Sequence, residues 1–193
     1  MNYNIKNALD NQTYIHKALL IYDSLFPPSQ REDKNKIIKN IKNKKYKMFI
    51  YIDKSSIVKG FFIIDINNKL NYTILTFLGV QKDFQRLGVG KALLLFAIKQ
   101  FYKNNKTQFF LIEADNRPAL LYKKYKFKTL NINYQIPCFD TNDTKKTNLL
   151  IREKDVQIQK EQLKDIIKDI FIYGYMLDER DDRLKNQLNS IYK

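Results

Sequence analysis

A short run of residues near the middle of the chain has the types and spacing needed to hold a phosphate group. The run consists of Gln85, Arg86, Leu87, Gly88, Val89, Gly90 and Lys91. Its two glycines let the backbone approach an anionic ligand without an intervening β-carbon. A helix that begins here would point its first, unpaired N–H groups and the positive end of its dipole at the ligand. Arg86 and Lys91 add positive charge, so the run predicts a phosphate-binding turn.

The predicted elements on either side of this turn are a strand and a helix. Residues 74–80 are apolar and rich in β-branched side chains, which is typical of a buried strand. From Val89 to Phe101 the apolar residues recur at helical spacing. The turn is therefore expected to join a buried strand to a helix.

Two better-known phosphate loops do not fit the residues around the turn. A dinucleotide fingerprint that begins at Gly88 would need a small residue where Leu93 stands. A P-loop would need Ser or Thr at Ala92 and a glycine at Gln85. Both kinds of nucleotide site are therefore excluded.

The turn resembles the acetyl-CoA motif of the GNAT superfamily of N-acetyltransferases, which reads Gln/Arg-x-x-Gly-x-Gly/Ala. Gln85, Gly88 and Gly90 fill the motif, and Val80 stands five residues before the glutamine, as is usual in that family. The resemblance implies acetyl-CoA as cosubstrate. It also implies that the backbone from Leu78 to Val80 holds the pantetheine arm and polarises the thioester carbonyl, and that the amides of residues 86–91 hold the pyrophosphate.

A second GNAT pattern follows along the chain. Members of the family commonly carry a Tyr five residues before the Phe of a Gly-Phe pair, and Tyr122 has that distance from Phe127. The resemblance implies that Tyr122 protonates the departing thiolate. This chain departs from the pattern because Lys126 replaces the glycine. It departs again because the Asn expected at Asp115 stands one place late, at Asn116, our remaining candidate for a cofactor contact.

The general base is sought among carboxylates, because the GNAT fold often deprotonates its amine with one. Glu113 is the first candidate, since it ends a strand that should diverge from residues 78–80 and open the cofactor cleft. A surface carboxylate at a strand end is the alternative interpretation. His16, the only histidine, fits a solvated helical residue better than a catalyst. One histidine and one cysteine cannot form a Cys/His zinc cluster, so no metal is expected, and no Ser/His/Asp set is recognised.

The elements around these candidates are predicted from periodicity and turn residues. We expect strands at 3–8, 46–53, 57–67, 71–80, 108–113, 127–136 and 147–151, helices at 12–26 and 29–44, and a helix after residue 115. Ser29 and Glu32 have the form of a capping box. Asp115 or Asn116 is expected to cap the later helix. This order predicts an α/β (α+β) fold with a mixed, mainly antiparallel sheet flanked by helices. It resembles the GNAT fold over residues 1–152.

Residues 153–193 are predicted to form a C-terminal helical extension. One apolar stripe comprises Leu163, Ile166, Ile167, Ile170 and Tyr173, and a second comprises Leu184, Leu188 and Ile191. Such stripes need a partner surface. Docking on the rest of the chain is one interpretation, and a homodimer formed through these helices is the other.

The net charge of +15 raises the hypothesis of a nucleic-acid partner. Residues 1–152 contain 27 Lys/Arg and 11 Asp/Glu, whereas residues 153–193 contain 8 and 9. The basic residues are mostly lysines in a chain rich in Asn, Ile and Tyr, which an AT-rich coding sequence produces without selection for binding. We therefore do not expect a nucleic-acid partner.

The composition also bears on location. No apolar run approaches the roughly 20 residues of a membrane span, and the N-terminus lacks the build of a signal peptide. The single cysteine, Cys138, fits a reducing compartment. We expect a cytoplasmic protein that has no membrane partner.

The function implied by the resemblance is transfer of an acetyl group from acetyl-CoA to a primary amine of a small molecule or a protein, by direct attack. The amine acceptor is then the partner. Two alternatives from other classes remain open: a nucleic-acid-associated protein, and a CoA-binding sensor without turnover. The basic composition would allow the first, and Lys126 in place of glycine would allow the second.

Overall fold

The computed structural model describes residues 4–191, which divide into two compact units. The N-terminal unit comprises residues up to 27, residues 31–66 and residues 74–105. The C-terminal unit comprises residues 28–30, residues 67–73 and residues from 106 onwards. The segment predicted as an appended extension therefore belongs to the same unit as the strand that carries Glu113.

The N-terminal unit contains strands β1 to β4 and three helices. The strands are β1 (Ile5–Asn7), β2 (Tyr46–Ile52), β3 (Val58–Asn67) and β4 (Tyr72–Val80), and the helices are α1 (Gln12–Leu25), α2 (Lys34–Lys42) and α3 (Val89–Lys103). The strands neighbour one another in the order β1-β2-β3-β4. The first two pairs are antiparallel, with Ile5 opposite Tyr51 and Phe49 opposite Phe62. Residues 1–3 of the first predicted strand lie outside the described residues.

The C-terminal unit contains the remaining strands and helices. They are β5 (Phe109–Ala114), α4 (Asn116–Lys123), β6 (Lys128–Thr129), β7 (Gln135–Pro137), β8 (Thr144–Lys146), β9 (Asn148–Glu153), α5 (Lys160–Asp169) and α6 (Asp182–Ser190). Strand β9 lies between β5 and β6 and is antiparallel to both, while β7 and β8 form a separate hairpin. Mainly antiparallel strands combined with helices confirm the predicted fold class.

An aromatic cluster fills part of the core of the N-terminal unit. The ring of Tyr22 lies edge-on to Phe77 at 4.9 Å between centroids, and Phe26 meets Phe77 at 5.3 Å. Such pairs add about 0.5–1.5 kcal/mol beyond the area that they bury. Helix α1 begins where Asn11 accepts a hydrogen bond from the amide of Thr13 at 2.9 Å. The cluster fixes this helix against β4.

The predicted capping box at Ser29 and Glu32 is wrong. Pro28 begins a short 3-10 turn, and α2 starts only at Lys34, where Asp33 accepts from the Lys36 amide at 2.9 Å. Glu32 is instead buried, with Lys36 Nζ 2.8 Å from its carboxylate and the Tyr46 hydroxyl 3.1 Å away. A buried ion pair with a hydroxyl donor outweighs the local capping preference.

The predicted strand at 127–136 is also wrong, because the chain turns in its middle. The amide of Leu130 donates to Leu149 O at 2.9 Å, and the amide of Ile132 donates to Leu130 O at 3.0 Å. Only Lys128 and Thr129 pair with β9, and residues 135–137 form β7 in the hairpin instead. Strand β8, the partner of β7, was not predicted.

The C-terminal helices bury most of their apolar stripes within the C-terminal unit. Leu163, Ile166, Ile167 and Ile170 of α5 and the turn after it are buried, as are Leu184 and Ile191. Tyr173 is an exception: it is 57% exposed, and Phe171 is buried instead. The stripe shifts because residues 170–174 form a π-helical turn, closed by the Tyr175 amide donating to Ile170 O at 3.1 Å.

Helix α5 is also tied to the unit by polar contacts. The Tyr72 hydroxyl donates to Asp169 Oδ2 at 2.6 Å, and Asn67 Nδ2 donates to the same oxygen at 3.0 Å. Docking on the chain itself therefore accounts for this stripe. Among the helices of residues 4–191, none is long and apolar enough to cross a membrane.

Candidate functional site

The turn at residues 85–91, predicted to bind phosphate, has a backbone shaped by two left-handed residues. Arg86 has φ +63° and Gly88 has φ +85°. Left-handed residues in a turn aim successive N–H groups into one concavity, which is typical of anion-binding nests. Gly88 is the N-cap of α3, and the Ala92 amide donates to its carbonyl at 2.9 Å. The amides of the first turn of α3 consequently have no acceptor within the helix.

The space above this turn suits a diphosphate. A β-carbon at Gly88 would meet no atom within 4 Å, and one at Gly90 would meet only Val80 Cγ2, at 3.5 Å. Arg86 and Lys91 are exposed beside it. Open space beside helix-terminal amides and two cations is an arrangement that can hold an anion. Within the turn, Leu87 is 69% exposed and Val89 is buried.

The side chain of Gln85 forms a hydrogen bond within the protein. Its Nε2 donates to Val80 O at 3.1 Å, so the side chain ties the turn to the end of β4. The preceding residues are anchored as well. The Lys59 ammonium lies 4.0 Å from the centre of the Phe84 ring, and Lys59 O accepts from the Gln81 amide at 2.9 Å. These contacts fix the turn relative to the two strands.

Two glycines that sequence analysis did not select bring β3 and β4 close together near Leu78 and Val80. A β-carbon at Gly60 would lie 2.8 Å from Gly79 O, and one at Gly79 would lie 2.8 Å from Phe61 Cε1. Neither position therefore has room for a side chain. A glycine inside a predicted strand is the signal that could have identified them.

Tyr122 lies on α4 with its side chain largely buried against Phe127, at 6.2 Å between ring centroids. Burial raises the pKa of its phenol to about 12, so the hydroxyl keeps its proton at physiological pH. Among residues 4–191, none forms a hydrogen bond with this hydroxyl. Tyr122 thus presents a proton donor that is not already engaged.

Lys126, which stands where the family pattern has a glycine, adopts a backbone conformation that is typical of glycine. Lys126 has φ +64°, the left-handed conformation that glycine adopts most easily. The Phe127 amide donates to Tyr122 O at 3.4 Å across this turn. The residue before Phe127 therefore has a backbone conformation that a glycine would adopt without strain.

The residues at the start of α4 are held by side chains of the same unit. Asp115 occupies the N-cap position without capping the helix, and its carboxylate lies 2.7 Å from Lys145 Nζ. Asn116 accepts a hydrogen bond from Asn148 Nδ2 at 2.9 Å. Asn148 also donates to Ala114 O at 3.0 Å. Asn116 remains a candidate cofactor contact, with its carbonyl oxygen already engaged.

Glu113 lies in β5 as predicted, and its carboxylate is enclosed by tyrosines. Oε1 accepts from the Tyr134 hydroxyl at 2.5 Å, and Oε2 accepts from the Tyr175 hydroxyl at 2.7 Å. Burial raises the pKa of Glu113, while the two hydrogen bonds oppose the rise. Among residues 4–191, no lysine or arginine forms an ion pair with this carboxylate.

Tyr134 and Tyr175 were not identified from the sequence, where 13 tyrosines gave no reason to select two. His16 is exposed on α1, in keeping with the solvated interpretation. The predicted candidates thus fall into two groups. Leu78, Val80 and the turn belong to the N-terminal unit, and Glu113, Asn116 and Tyr122 belong to the C-terminal unit.

Comparisons with solved structures find proteins of similar fold. A Bacteroides thetaiotaomicron protein described as a GNAT-family acetyltransferase aligns with TM-score 0.70 and 14% identity, over 92% of this chain and 100% of its own. The ribosomal-protein-S18-alanine N-acetyltransferase of Escherichia coli aligns with TM-score 0.61 and 20% identity, over 80% and 96%. The phosphinothricin acetyltransferase of Sinorhizobium meliloti, solved with acetyl-CoA, aligns with TM-score 0.63 and 14% identity, over 79% and 89%.

No curated protein sequence matches the chain at a significant level. A family model described as "Acetyltransferase (GNAT) domain" matches residues 26–135, which is more than half of the chain. This range includes the turn at 85–91 and the helix that carries Tyr122. The chain therefore belongs to the GNAT acetyltransferases, a family of acyltransferases.

Proposed function

We propose that the protein transfers the acetyl group of acetyl-CoA to a primary amine of a small molecule or a protein. The observation that carries this proposal is the environment of Glu113. Glu113 is partly buried, and its carboxylate receives two hydroxyl donors but no lysine or arginine among residues 4–191. The chain contains 35 lysines and arginines, so suitable cations are abundant elsewhere.

Even a partly buried carboxylate without a cation costs stability, because the partial desolvation of its charge is not offset by an ion pair. Groups with perturbed pKa values cluster at functional sites, which makes Glu113 a candidate functional residue. An ammonium group is the partner that this carboxylate lacks. We infer that the acceptor amine enters as the ammonium ion and meets Glu113.

Glu113 then takes a proton from the ammonium, which leaves a neutral amine with a nucleophilic lone pair. A raised pKa makes the carboxylate a stronger base than an exposed glutamate. The nitrogen forms a bond to the acetyl carbon, the carbon–sulfur bond breaks, and its electron pair leaves with sulfur. Tyr122 donates a proton to the thiolate, and its phenolate regains one from water or from the new amide nitrogen. One proton is released overall.

The N-terminal unit supplies binding in this proposal. The amides of residues 86–91 and the side chains of Arg86 and Lys91 would hold the pyrophosphate. The backbone of Leu78 to Val80 would hold the pantetheine arm. The thioester supplies the acetyl group when it is bound. The sensor alternative loses its support, since Lys126 has the φ of a glycine position.

The test compares Glu113→Gln with Glu179→Gln, which removes an exposed glutamate of the same unit. Acetyl transfer to a panel of amines and peptides is measured, and CoA affinity is measured separately by calorimetry. We expect Glu113→Gln to lower kcat by about 10²–10⁴, the contribution of a positioned base, and to keep CoA affinity. Glu179→Gln should behave as the wild type. Full activity of Glu113→Gln would remove Glu113 from the chemistry.

A further inference from the structure

The C-terminal segment contributes one of the two groups that contact the Glu113 carboxylate. Tyr175 follows the π-helical turn at 170–174, and its amide donates to Ile170 O at 3.1 Å. A π turn is rare and is often found at functional sites. Here the turn brings Tyr175 to Glu113, 62 residues away along the chain.

The two tyrosines hold the carboxylate from different sides. Tyr134 donates to Oε1 and Tyr175 to Oε2, so each oxygen has its own donor. The terminal torsion of a glutamate is otherwise broad, with little preference among orientations. Two short hydrogen bonds from fixed rings consequently set the plane of the carboxylate. Each oxygen still has a second lone pair for an ammonium donor.

The rings that carry these hydroxyls are themselves packed. Tyr175 stacks on Phe139 at 5.1 Å with 28° between the planes, and Phe171 lies edge-on to it at 5.7 Å. Tyr134 is almost fully buried and contacts Phe171 at 6.0 Å. The hydroxyl positions are therefore determined by an aromatic cluster and not by flexible side chains.

The other ionisable groups around the carboxylate are few. Tyr72 lies close enough to Tyr134 to raise its pKa. The Tyr72 hydroxyl itself donates a hydrogen bond to Asp169 at 2.6 Å. Besides this pair, Tyr134 and Tyr175 are the groups that act on Glu113 among the described residues. The groups around the Glu113 carboxylate are acidic or neutral, which favours binding of a cationic ligand.

We propose that Tyr134 and Tyr175 are positioning residues that orient the Glu113 carboxylate toward the acceptor amine, so that residues 153–193 form part of the acceptor site. The inference rests on the proposed function, because it assigns a task to the base of that reaction. Neither tyrosine needs to touch the reacting atoms. Each acts through the carboxylate.

Loss of either hydroxyl has a consequence that a purely structural role would not produce. Both hydrogen bonds favour the charged carboxylate and so lower the pKa of Glu113 against the effect of burial. Removing one donor raises that pKa further. The acidic limb of the pH profile of kcat/KM, which reports the free enzyme's base, should then move to higher pH.

The experiment uses the full chain with Tyr175→Phe, Tyr134→Phe and a matched control, Tyr173→Phe. Tyr173 lies on the same π turn with its side chain 57% exposed. Phenylalanine keeps the ring and removes only the hydroxyl. We expect each of the first two variants to lower kcat about ten- to hundredfold, as misplacement of a catalytic group does. They should also shift the acidic limb upward and leave CoA affinity unchanged. The control should match the wild type.

The pKa of Glu113 is also measured directly, by carbon-13 NMR titration of its carboxyl group, so that a readout exists besides turnover. An upward shift in Tyr175→Phe or Tyr134→Phe supports the proposal. Should one variant fail to fold, the other still decides, because each hydroxyl holds a separate oxygen.

The outcomes separate this inference from the function on which it rests. A wild type that transfers acetyl groups, with both variants keeping its kcat and pH profile, overturns the inference alone. A wild type that binds CoA but transfers to no amine overturns the proposed function and this inference with it. Equal effects of Tyr173→Phe and Tyr175→Phe also overturn the inference, because the change would then come from the turn and not from the hydroxyl.

Discussion

Alanine at each of the two glycines of the phosphate turn should abolish acetyl-CoA binding while changing stability in opposite directions. Gly88 has φ +85°, so Gly88→Ala carries the strain of a left-handed residue, about 1–2 kcal/mol. Gly90 lies in the first turn of α3, and its new β-carbon would rest 3.5 Å from Val80 Cγ2, an ordinary contact. Replacing a helical glycine by alanine contributes up to about 1 kcal/mol of stability.

The effect on the ligand follows from where the β-carbons would stand. The β-carbon at Gly88 would stand in open space and that at Gly90 would lie against Val80, and we expect each to crowd a diphosphate bound by the amides of residues 86–91. Wild type at a hundredfold excess of acetyl-CoA over Kd gains about 2.7 kcal/mol. For a chain of this size, such a gain raises Tm by about 5–10 °C. We expect both variants to lose this rise.

The assay is thermal unfolding with and without acetyl-CoA, supported by calorimetric titration. Gly174→Ala is the matched control, because its β-carbon would meet only Ile170 Cγ2, at 3.8 Å, far along the chain from the turn. Gly174→Ala should keep the full rise. A Gly90→Ala protein that is stable and still shows the wild-type rise would refute the assignment of the turn to phosphate binding. A larger rise with NADH or ATP would identify a different ligand.

Three further predictions concern single side chains. Tyr122→Phe should lower kcat about ten- to ten-thousandfold and leave CoA affinity unchanged. Because the pKa of Tyr122 is about 12, ionisation of the phenol should not reduce the wild-type rate below about pH 11. A rate unchanged by the substitution would exclude Tyr122 as the proton donor. Lys126→Gly should raise the free energy of unfolding by up to about 1 kcal/mol in denaturant titrations, because it relieves a left-handed lysine; a lower value would mean that the lysine side chain stabilises the turn. The pKa of Glu113 is higher in the folded than in the unfolded state, so the folded state binds more protons, and the contribution of Glu113 to stability falls as pH rises above about 4.5. Glu113→Gln should reduce the slope of the free energy of unfolding against pH in that range. An unaltered slope would assign the pH dependence to other groups.

Local patterns explain what was predictable from sequence. The spacing of Gln85, Gly88 and Gly90 lies within one turn, and α3 begins at Val89 as its periodicity indicates. The turn and the start of α3 each depend only on residues that are close in sequence. The expectation for residues 127–136 failed because the chain turns after Leu130, where the Ile132 amide donates to Leu130 O, and alternation of side chains does not reveal such a turn.

The hydrogen-bond partners of Glu113, the candidate base, could not be predicted from local sequence patterns. Glu113 could be selected as a carboxylate at a strand end, but its partners lie 21 and 62 residues away. Helical periodicity placed Tyr173 on the inward stripe, and the π turn placed Phe171 there instead. A turn of that width has no clear sequence signature. The position of Tyr175 therefore depends on tertiary packing.

The π turn bears on how the chain would respond to loss of one residue at this point. Tyr175 follows Ile170 by five positions, whereas an α-helix closes the same hydrogen bond over four. Deleting one residue between them, such as the exposed Tyr173, would let Tyr175 close an ordinary helical turn on Ile170 and keep its direction. We therefore expect loss of one residue in this segment to be less harmful than replacement of Tyr175, whose hydroxyl binds Glu113.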